Sequence, residues 1–179
     1  MPRPSDTKQR IQAAARELFA KKGVQRTSLQ EIADRLGITK PALYYHFSSR
    51  EDLVRSIVQP LIDDGEAFIA QQEALDAVRP RALLAGYFDF HHRHRDEIVL
   101  VLTELTTLAD LGLIDVVLAW RERLARLLFG PELTLAQATR AVVALGGLQD
   151  CTIHFPDVPI DELRQAAVDA AHAALGIEP

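Results

Sequence analysis

The chain has 179 residues, of which 48% are apolar and 25% charged, and its net charge is −5. This composition is ordinary for a globular protein, and the length allows one large or two small domains. The apolar runs are too short to span a membrane, the N-terminus lacks the apolar core of a signal peptide, and the single cysteine, Cys151, excludes an intramolecular disulfide framework. We therefore expect a cytoplasmic protein with no membrane partner.

The charge is distributed unevenly along the chain. Residues 1–55 contain 11 Lys and Arg against 6 Asp and Glu, a net charge of +5, whereas residues 56–179 contain 9 against 19, a net charge of −10. A basic N-terminal part on an acidic body indicates that only the first part meets a polyanion.

Capping patterns mark the first two helices. Asp6, with Gln9 three residues later, predicts a capping box at the start of a helix that ends at Gly23. Ser28 and the glutamate three residues after it predict a second start, ahead of apolar residues at helical spacing. Gly37 then ends this short helix.

Two further starts follow closely. Thr39 is suited to cap a third helix, with Pro41 in its first turn, and this helix ends near His46 or Phe47. Serines at 48 and 49, followed by acidic residues, predict a long fourth helix reaching the middle seventies. Since proline removes a helical hydrogen bond and clashes with the preceding turn, we expect a kink or a break at Pro60.

The rest of the chain also has helical periodicity. Five further helices are predicted, bounded by Pro80, residues 95–96, Gly112, residues 130–131 and residues 156–159. The sequence contains no strand-like alternation of useful length. The predicted fold class is therefore all-α.

The second and third helices have the spacing of a helix-turn-helix. Ala33 is small enough for the two helices to cross closely, and Gly37 accepts a backbone conformation that side chains disfavour. The predicted apolar core of this motif comprises Leu18, Phe19, Ile32, Leu36, Ile38 and Leu43. Lys40, Tyr44 and Tyr45 then remain for the outer surface, where they suit a DNA groove. For one of the two tyrosines, a half-buried packing role is equally compatible with the sequence.

The segment TSLQEIADRLGITKPALYYHFSSREDL resembles the DNA-binding region of TetR-type transcriptional regulators, and the similarity runs from Arg10 to Leu53 without a gap. The resemblance implies a helix-turn-helix DNA-binding domain of three helices over residues 1–50. It also implies a helical bundle over residues 51–179 that binds a small ligand and forms a homodimer. The DNA-contacting positions carried over from the family are Thr27, Ser28, Gln30, Lys40, Pro41, Ala42, Tyr44, Tyr45, His46 and Arg50. The free amides at the start of the third helix, at Thr39, predict a further phosphate contact.

The chain departs from the family pattern at three of these positions. Arg50 stands where family members usually carry a phosphate-contacting lysine, a change that keeps the charge. Pro41 and Ala42 stand where many members have glycine and threonine, so a hydroxyl for base contact is missing. Ala42 offers only a methyl group to thymine, and Gln30 becomes the better candidate for hydrogen bonding an adenine edge.

The stretch LLAGYFDFHHRHRDE predicts a helix that is apolar on most sides and therefore buried. By analogy with the family, a ligand cavity lies beside such a helix. Tyr87 and His91 share one face and Trp120 supplies a wall from a later helix, although packed core aromatics explain the same pattern equally well. We predict no metal site, since His91 and His94 have no evident third ligand, and no cofactor.

The last two predicted helices, around LAQATRAVVALGGLQD and LRQAAVDAAHAALG, are rich in alanine and glycine. Small residues allow close helix approach, which fits a two-fold homodimer through these helices. The resulting hypothesis is a transcriptional regulator, with repression favoured over activation, released from a palindromic double-stranded DNA operator by a small-molecule effector. The alternative is a ligand-free architectural or nucleoid-associated protein; no catalytic constellation favours an enzyme.

Overall fold

The computed structural model describes residues 4–103 and 112–177, and in this part of the chain all regular structure is helical, which confirms the predicted class. The helices are α1 (Pro4–Lys22), α2 (Leu29–Leu36), α3 (Lys40–His46), α4 (Arg50–Glu73), α5 (Pro80–Arg93), α6 (Arg95–Thr103), α7 (Leu113–Phe129), α8 (Leu135–His154) and α9 (Ile160–Leu175). No helix among these residues has the length and apolarity needed to cross a membrane.

The caps of α2 and α3 form as the sequence predicts. Ser28 and Glu31 make a reciprocal capping box at the start of α2, and Gly37 ends it in the left-handed conformation with φ of 65°. Thr39 caps α3 by accepting a hydrogen bond from the Ala42 amide at 3.3 Å. These short-range hydrogen bonds fix both ends of the turn between the two helices.

The predicted capping box at Asp6 is wrong. Helix α1 begins earlier, at Pro4, so Asp6 lies inside the first turn. Proline is well suited to a first turn because it has no amide hydrogen to leave unpaired. The Asp6 carboxylate still lies near the positive end of the helix dipole, where negative charge is favourable.

Helix α4 continues through Pro60, so the predicted break does not occur. In an unbroken helix the residue-60 amide would donate to the Ser56 carbonyl, and proline cannot do so. The side-chain amide of Gln12, from α1, replaces this donor: its Nε2 lies 3.1 Å from the Ser56 carbonyl and 3.0 Å from the Ser56 hydroxyl. The carbonyl that Pro60 leaves without a helical donor is therefore satisfied by another helix.

Packing divides the chain into two compact units. The first comprises the described residues of 1–60 and 99–111, and the second those of 61–98 and 112–179. This division places residues 51–60 with the N-terminal unit, and the predicted functional boundary between residues 50 and 51 stays a prediction.

The first unit has a core drawn from all four of its N-terminal helical segments. Of the predicted core, Phe19, Ile32 and Leu43 are buried, whereas Leu18, Leu36 and Ile38 are half-buried. Additional core residues come from outside the motif and include Ile11, Ala15, Phe47, Leu53 and Ile57. The orientation of α3 is thus fixed by the packed core of the first unit as well as by the turn between α2 and α3.

In the second unit, the buried residues of α5 lie on one side of the helix and its other side is half-buried or exposed, so the prediction of burial on most sides is not met. Helix α9 packs against both α5 and α8. Arg164 of α9 donates two hydrogen bonds, of 2.7 and 2.8 Å, to the Asp89 carboxylate of α5. Paired hydrogen bonds of this kind fix the relative orientation of two groups as well as their distance. They hold the C-terminal helix on the central one.

Candidate nucleic-acid interface and effector site

The outward face of α3 carries aromatic and basic side chains. Tyr45 is 82% exposed and Tyr44 is 45% exposed, whereas Leu43, on the inward side of α3, is fully buried. The Lys40 ammonium lies 5.7 Å from the centre of the Tyr44 ring, a cation–π arrangement. Pro41 and Ala42 are also exposed. Both tyrosines are therefore free of the core, which resolves the alternative that the sequence leaves open.

His46 closes this face at the end of α3. It is half-buried, and its ring meets the Tyr45 ring edge to face with centres 5.2 Å apart. At the other end, Thr39 is exposed and its hydroxyl is used by the cap. The face combines one cation, two phenol hydroxyls and an imidazole, all groups that hydrogen bond to phosphate oxygens or base edges.

The start of α2 presents two more of the predicted contacts. Ser28 is exposed, but its hydroxyl belongs to the capping box. Gln30 is exposed, and its side-chain amide donates to the Asp34 carboxylate at 2.7 Å. This hydrogen bond uses the side-chain NH₂ group of Gln30 as a donor to a residue one helical turn further along α2.

The position of Thr27 corrects its prediction as a DNA contact. Its side chain is 1% exposed, and its hydroxyl donates to the Gly23 carbonyl at 2.8 Å. The residue stabilises the connection between α1 and α2 instead of facing a groove. A threonine just before an N-cap looks exposed in sequence, because nothing local shows that the chain folds back over it.

Arg50 is also engaged within the protein. Its guanidinium donates to the Gln25 backbone carbonyl at 3.0 Å and to the Gln25 side-chain oxygen at 3.1 Å. It also lies 3.6 Å from the Glu51 carboxylate, and 29% of its side chain is exposed. Arg50 therefore ties the start of α4 to the α1–α2 connection, and its contact with phosphate stays a prediction.

The three predicted effector residues lie in the second unit and are brought together around Phe90. Tyr87, His91 and Trp120 are 4%, 5% and 6% exposed. The ring centre of Phe90 lies 5.0 Å from that of His91 and 6.1 Å from that of Trp120, both edge to face. Their contact with a ligand stays a prediction, and these distances describe closely packed rings.

The polar ends of these aromatic residues all have partners. His91 Nδ1 donates to the Tyr87 carbonyl at 3.0 Å, and the Trp120 indole donates to the Glu66 carboxylate at 3.1 Å. The Tyr87 hydroxyl is a hydrogen-bond partner of Arg121. Arg121 was not singled out by the sequence, because one arginine on an amphipathic helix gives no signal that it turns inward.

The two histidines considered for a metal turn to different partners. His91 faces the Tyr87 carbonyl, whereas His94 Nε2 lies 2.9 Å from the Asp64 carboxylate. The second unit thus uses these rings in hydrogen bonds to separate groups.

Cys151 and His154 do not form a nucleophile and base. Burial raises the pKa of the Cys151 thiol, which disfavours the reactive thiolate. His154 Nδ1 donates to the Asp150 carbonyl at 3.0 Å, so this nitrogen is already occupied. The geometry around Cys151 gives no support to catalysis there.

The burial of His91 predicts an acid-dependent loss of stability. Burial lowers the pKa of His91 to about 4, and the hydrogen bond to the Tyr87 carbonyl opposes this only in part. As pH falls below 6.5, His91 becomes protonated in the unfolded chain, whereas in the folded chain it stays neutral until the pH approaches 4. Folding stability therefore falls across that window, by about 3 kcal/mol in total.

Urea unfolding of the wild type and of His91→Gln at a series of pH values tests this expectation. The difference in unfolding free energy between the two proteins should shrink by about 2–3 kcal/mol between pH 7 and pH 4. His154→Gln removes an exposed histidine and serves as the matched control. A pH-independent difference for His91→Gln would show that the ring titrates equally in both states.

Comparison with known proteins agrees with the helix-turn-helix assignment. The profile described as "Bacterial regulatory proteins, tetR family" matches residues 11–57. The transcriptional repressor KstR2 of Mycolicibacterium smegmatis is 32% identical over 120 residues, covering 64% of this chain and 57% of that protein. The transcriptional regulator TtgR of Pseudomonas putida is 35% identical over 88 residues, covering 47% and 42%. The chain thus matches roughly half the length of these curated relatives, which are transcriptional regulators.

Solved structures share the fold over almost the whole chain. A TetR/AcrR-family regulator from Thermobifida fusca is 27% identical, covers 97% of this chain and 100% of its own, and has a TM-score of 0.64. A transcriptional regulator from Aquifex aeolicus has a TM-score of 0.75 at 21% identity, covering 93% and 98%, and shows the fold alone. Together with the capped α2–α3 motif and its exposed outer face, these similarities assign residues 11–57 to the TetR family of bacterial regulatory proteins and show that the chain has the fold of these regulators.

Proposed function

We propose that the protein is a sequence-specific DNA-binding transcriptional regulator that acts as a repressor. The observation that carries this proposal is the outward face of α3, where Lys40, Tyr44 and Tyr45 are exposed above a buried Leu43. Large aromatic side chains that stand out of a soluble domain beside a lysine indicate a binding surface. The basic charge of residues 1–55 makes a polyanion the fitting partner.

The groups on this face divide between positioning and reading. Lys40 and the tyrosine hydroxyls reach phosphate oxygens and set the register of α3 in the major groove. Gln30 at the start of α2 hydrogen bonds an adenine edge, and the Ala42 methyl contacts a thymine methyl. Because the base contacts are few, much of the affinity comes from phosphates, and binding depends strongly on salt.

Selection from a pool of random duplexes tests the proposed function. The wild-type protein should enrich an inverted repeat whose half-sites are centred about 10–10.5 base pairs, or 34–36 Å, apart. Enrichment of a single inverted repeat supports a regulator with a defined operator. Duplex binding without any sequence enrichment would instead favour the architectural alternative, and absence of duplex binding would overturn both.

A palindromic operator requires a two-fold dimer, and α8 offers a surface for one. Leu135, Val142 and Val143 on this helix are 82%, 61% and 63% exposed. Gly147, one turn beyond Val143, is exposed, and a methyl group placed there would meet nothing within 4 Å. An apolar ridge next to a small residue fits a second copy of the same helix. We propose that α8 and α9 form the homodimer.

The substitution Val143→Glu should break this dimer. Two carboxylates would face each other across the two-fold axis without counter-charges, so the dimer should weaken by about a hundredfold or more. Sedimentation equilibrium measures the effect. Leu118→Glu, at a residue 57% exposed on α7, adds the same charge outside the proposed interface and should leave the dimer intact. A dimer unchanged by Val143→Glu would place the interface elsewhere.

A small-molecule effector acting on the second unit is the remaining part of the proposal. Helices α4 and α6 each have residues in both units, and α4 starts directly after α3, so we infer that α4 transmits the effect of the ligand to the DNA-binding helices. The effector lowers DNA affinity when it binds more tightly to a form in which the two α3 helices are wrongly spaced. A ligand with equal affinity for both forms would not release the operator.

A further inference from the structure

The second unit contains a guanidinium, that of Arg121, that forms no ion pair with any carboxylate of residues 4–103 and 112–177. Arg121 Nη2 donates to the Gln149 side-chain oxygen at 2.8 Å, and the Tyr87 hydroxyl is a second hydrogen-bond partner. Its Nε is buried and has no hydrogen-bond partner within the described part of the chain. Among the described residues, both hydrogen-bond partners of this guanidinium are thus uncharged.

The other two arginines of α7 each form ion pairs with carboxylates. Arg123 forms ion pairs of 2.7 Å with both Glu66 and Glu73, and Arg126 forms one of 2.6 Å with Glu122. Withdrawing a cation from water without a counter-charge is unfavourable. In the part of the chain that the structure describes, Arg121 therefore has no carboxylate partner, whereas Arg123 and Arg126 each have one or more.

His91 does not change this balance. Its burial lowers the pKa to about 4, so the ring is neutral at physiological pH, and the positive charge of the site belongs to Arg121. Gln149 is 7% exposed and Tyr87 is 4% exposed, so both flank the guanidinium from inside the unit. The site offers hydrogen-bond donors around a single fixed cation.

Tyr87, which contacts this cation, belongs to a cluster of aromatic rings. The ring centre of Tyr87 lies 6.5 Å from that of Phe68, which stacks on Phe90 at 6.3 Å with the planes inclined by 6°. Trp120 meets Phe90 edge to face. A ligand that fits both parts has a small anionic head and an apolar body.

We propose that the effector is an apolar organic acid whose carboxylate binds the Arg121 guanidinium, with the Tyr87 hydroxyl and the Gln149 amide as additional donors. This inference rests on the proposed function, in which the second unit binds a small molecule. Nε and Nη2 lie on one edge of the guanidinium, so they donate two parallel hydrogen bonds to the two carboxylate oxygens. The unpartnered Nε gains its acceptor, and the cation gains its counter-charge.

Paired compounds that differ only in charge test the proposal on the full-length protein. Octanoate and benzoate should raise the melting temperature, whereas octanamide and benzamide, which keep the apolar body, should not. Calorimetric titration of the more stabilising acid should show an affinity about a hundredfold lower for Arg121→Gln. Arg126→Gln, which removes an exposed and ion-paired arginine from the same helix, should bind as the wild type does.

Equal stabilisation by acids and amides, or unchanged acid affinity in Arg121→Gln, would overturn the anionic head while leaving effector binding intact. Stabilisation by neither acid would overturn the proposal as well. If Arg121→Gln does not fold, the comparison of acid with amide on the wild type decides alone. Duplex binding by the wild-type protein tests the proposed function separately, so failure of the effector proposal can be distinguished from failure of the proposed function.

Discussion

Gly65→Ala should lower the free energy of unfolding by about 2 kcal/mol or more, even though alanine is the better helix former. A methyl group at Gly65 would lie 2.6 Å from Cζ3 and 2.8 Å from Cζ2 of the Trp120 ring, and closer still to Cη2. The ring cannot swing away, because its indole nitrogen is bonded to Glu66 and its face meets Phe90. Overpacking costs about 1–3 kcal/mol and occasionally more, and an overlap with three atoms of a fixed ring belongs at the top of this range, so the cost exceeds the helix-propensity gain of about 1 kcal/mol by about 2 kcal/mol or more.

Guanidinium unfolding followed by circular dichroism, at one fixed protein concentration, measures this loss. Gly86→Ala is the matched control on α5, since its new methyl group would meet only the edge of the half-buried Phe68 ring, at 2.8 Å and beyond. Its effect should stay within about 1 kcal/mol. In a Trp120→Leu background, Gly65→Ala should become nearly neutral. A loss that persists without Trp120 would point to a different cause.

The helix-turn-helix was predictable from sequence because its determinants are local. Ser28, Gly37 and Thr39 act on backbone groups within a few residues, so the spacing of these residue types already defines where α2 and α3 begin and end. The inward direction of Leu43 follows from helical period. With Leu43 inward, the exposure of Tyr45 on the opposite side also follows.

Contacts between residues far apart in the chain could not be predicted from such local patterns. Arg50 donates to the carbonyl of Gln25, 25 residues earlier in the chain, although it occupies a position that the family resemblance assigns to DNA. The close approach of Gly65 to Trp120 joins residues far apart in the chain, and a glycine inside a helix reads only as a weak position. Such pairs depend on how the helices pack, and capping rules do not describe that.

The continuity of α4 through Pro60 also depends on a contact that local sequence rules do not include. Sequence rules predict a kink or a break, because they count the hydrogen bond that proline removes. They do not count Gln12, which supplies a substitute donor to Ser56 from another helix. The helix therefore continues where a local argument ends it.

Lys40→Ala should weaken binding to every duplex, about tenfold or more, while Gln30→Ala should weaken binding mainly to the operator. Lys40 contributes one phosphate contact per protomer, so its removal should reduce the salt slope by about 1 per protomer. Gln30 reads a base edge, so its loss should cost about 1–3 kcal/mol on the operator and little on a scrambled duplex. Both side chains are exposed, and neither substitution should alter the melting temperature.

Lys21→Ala removes another exposed cation, at the end of α1 and outside the predicted contacts. It should leave both affinity and salt slope unchanged. Equal losses on the operator and on the scrambled duplex for Gln30→Ala would refute its base-reading role.

Fluorescence anisotropy of a labelled duplex, titrated with wild-type and Lys40→Ala protein over a series of salt concentrations, tests most directly whether α3 meets the DNA backbone. The wild type should bind at low salt with an affinity that falls steeply as salt is added, and the variant should give a weaker and shallower dependence. A wild-type protein indifferent to every duplex at low salt, or a variant with the same slope as the wild type, would contradict the assignment of this face.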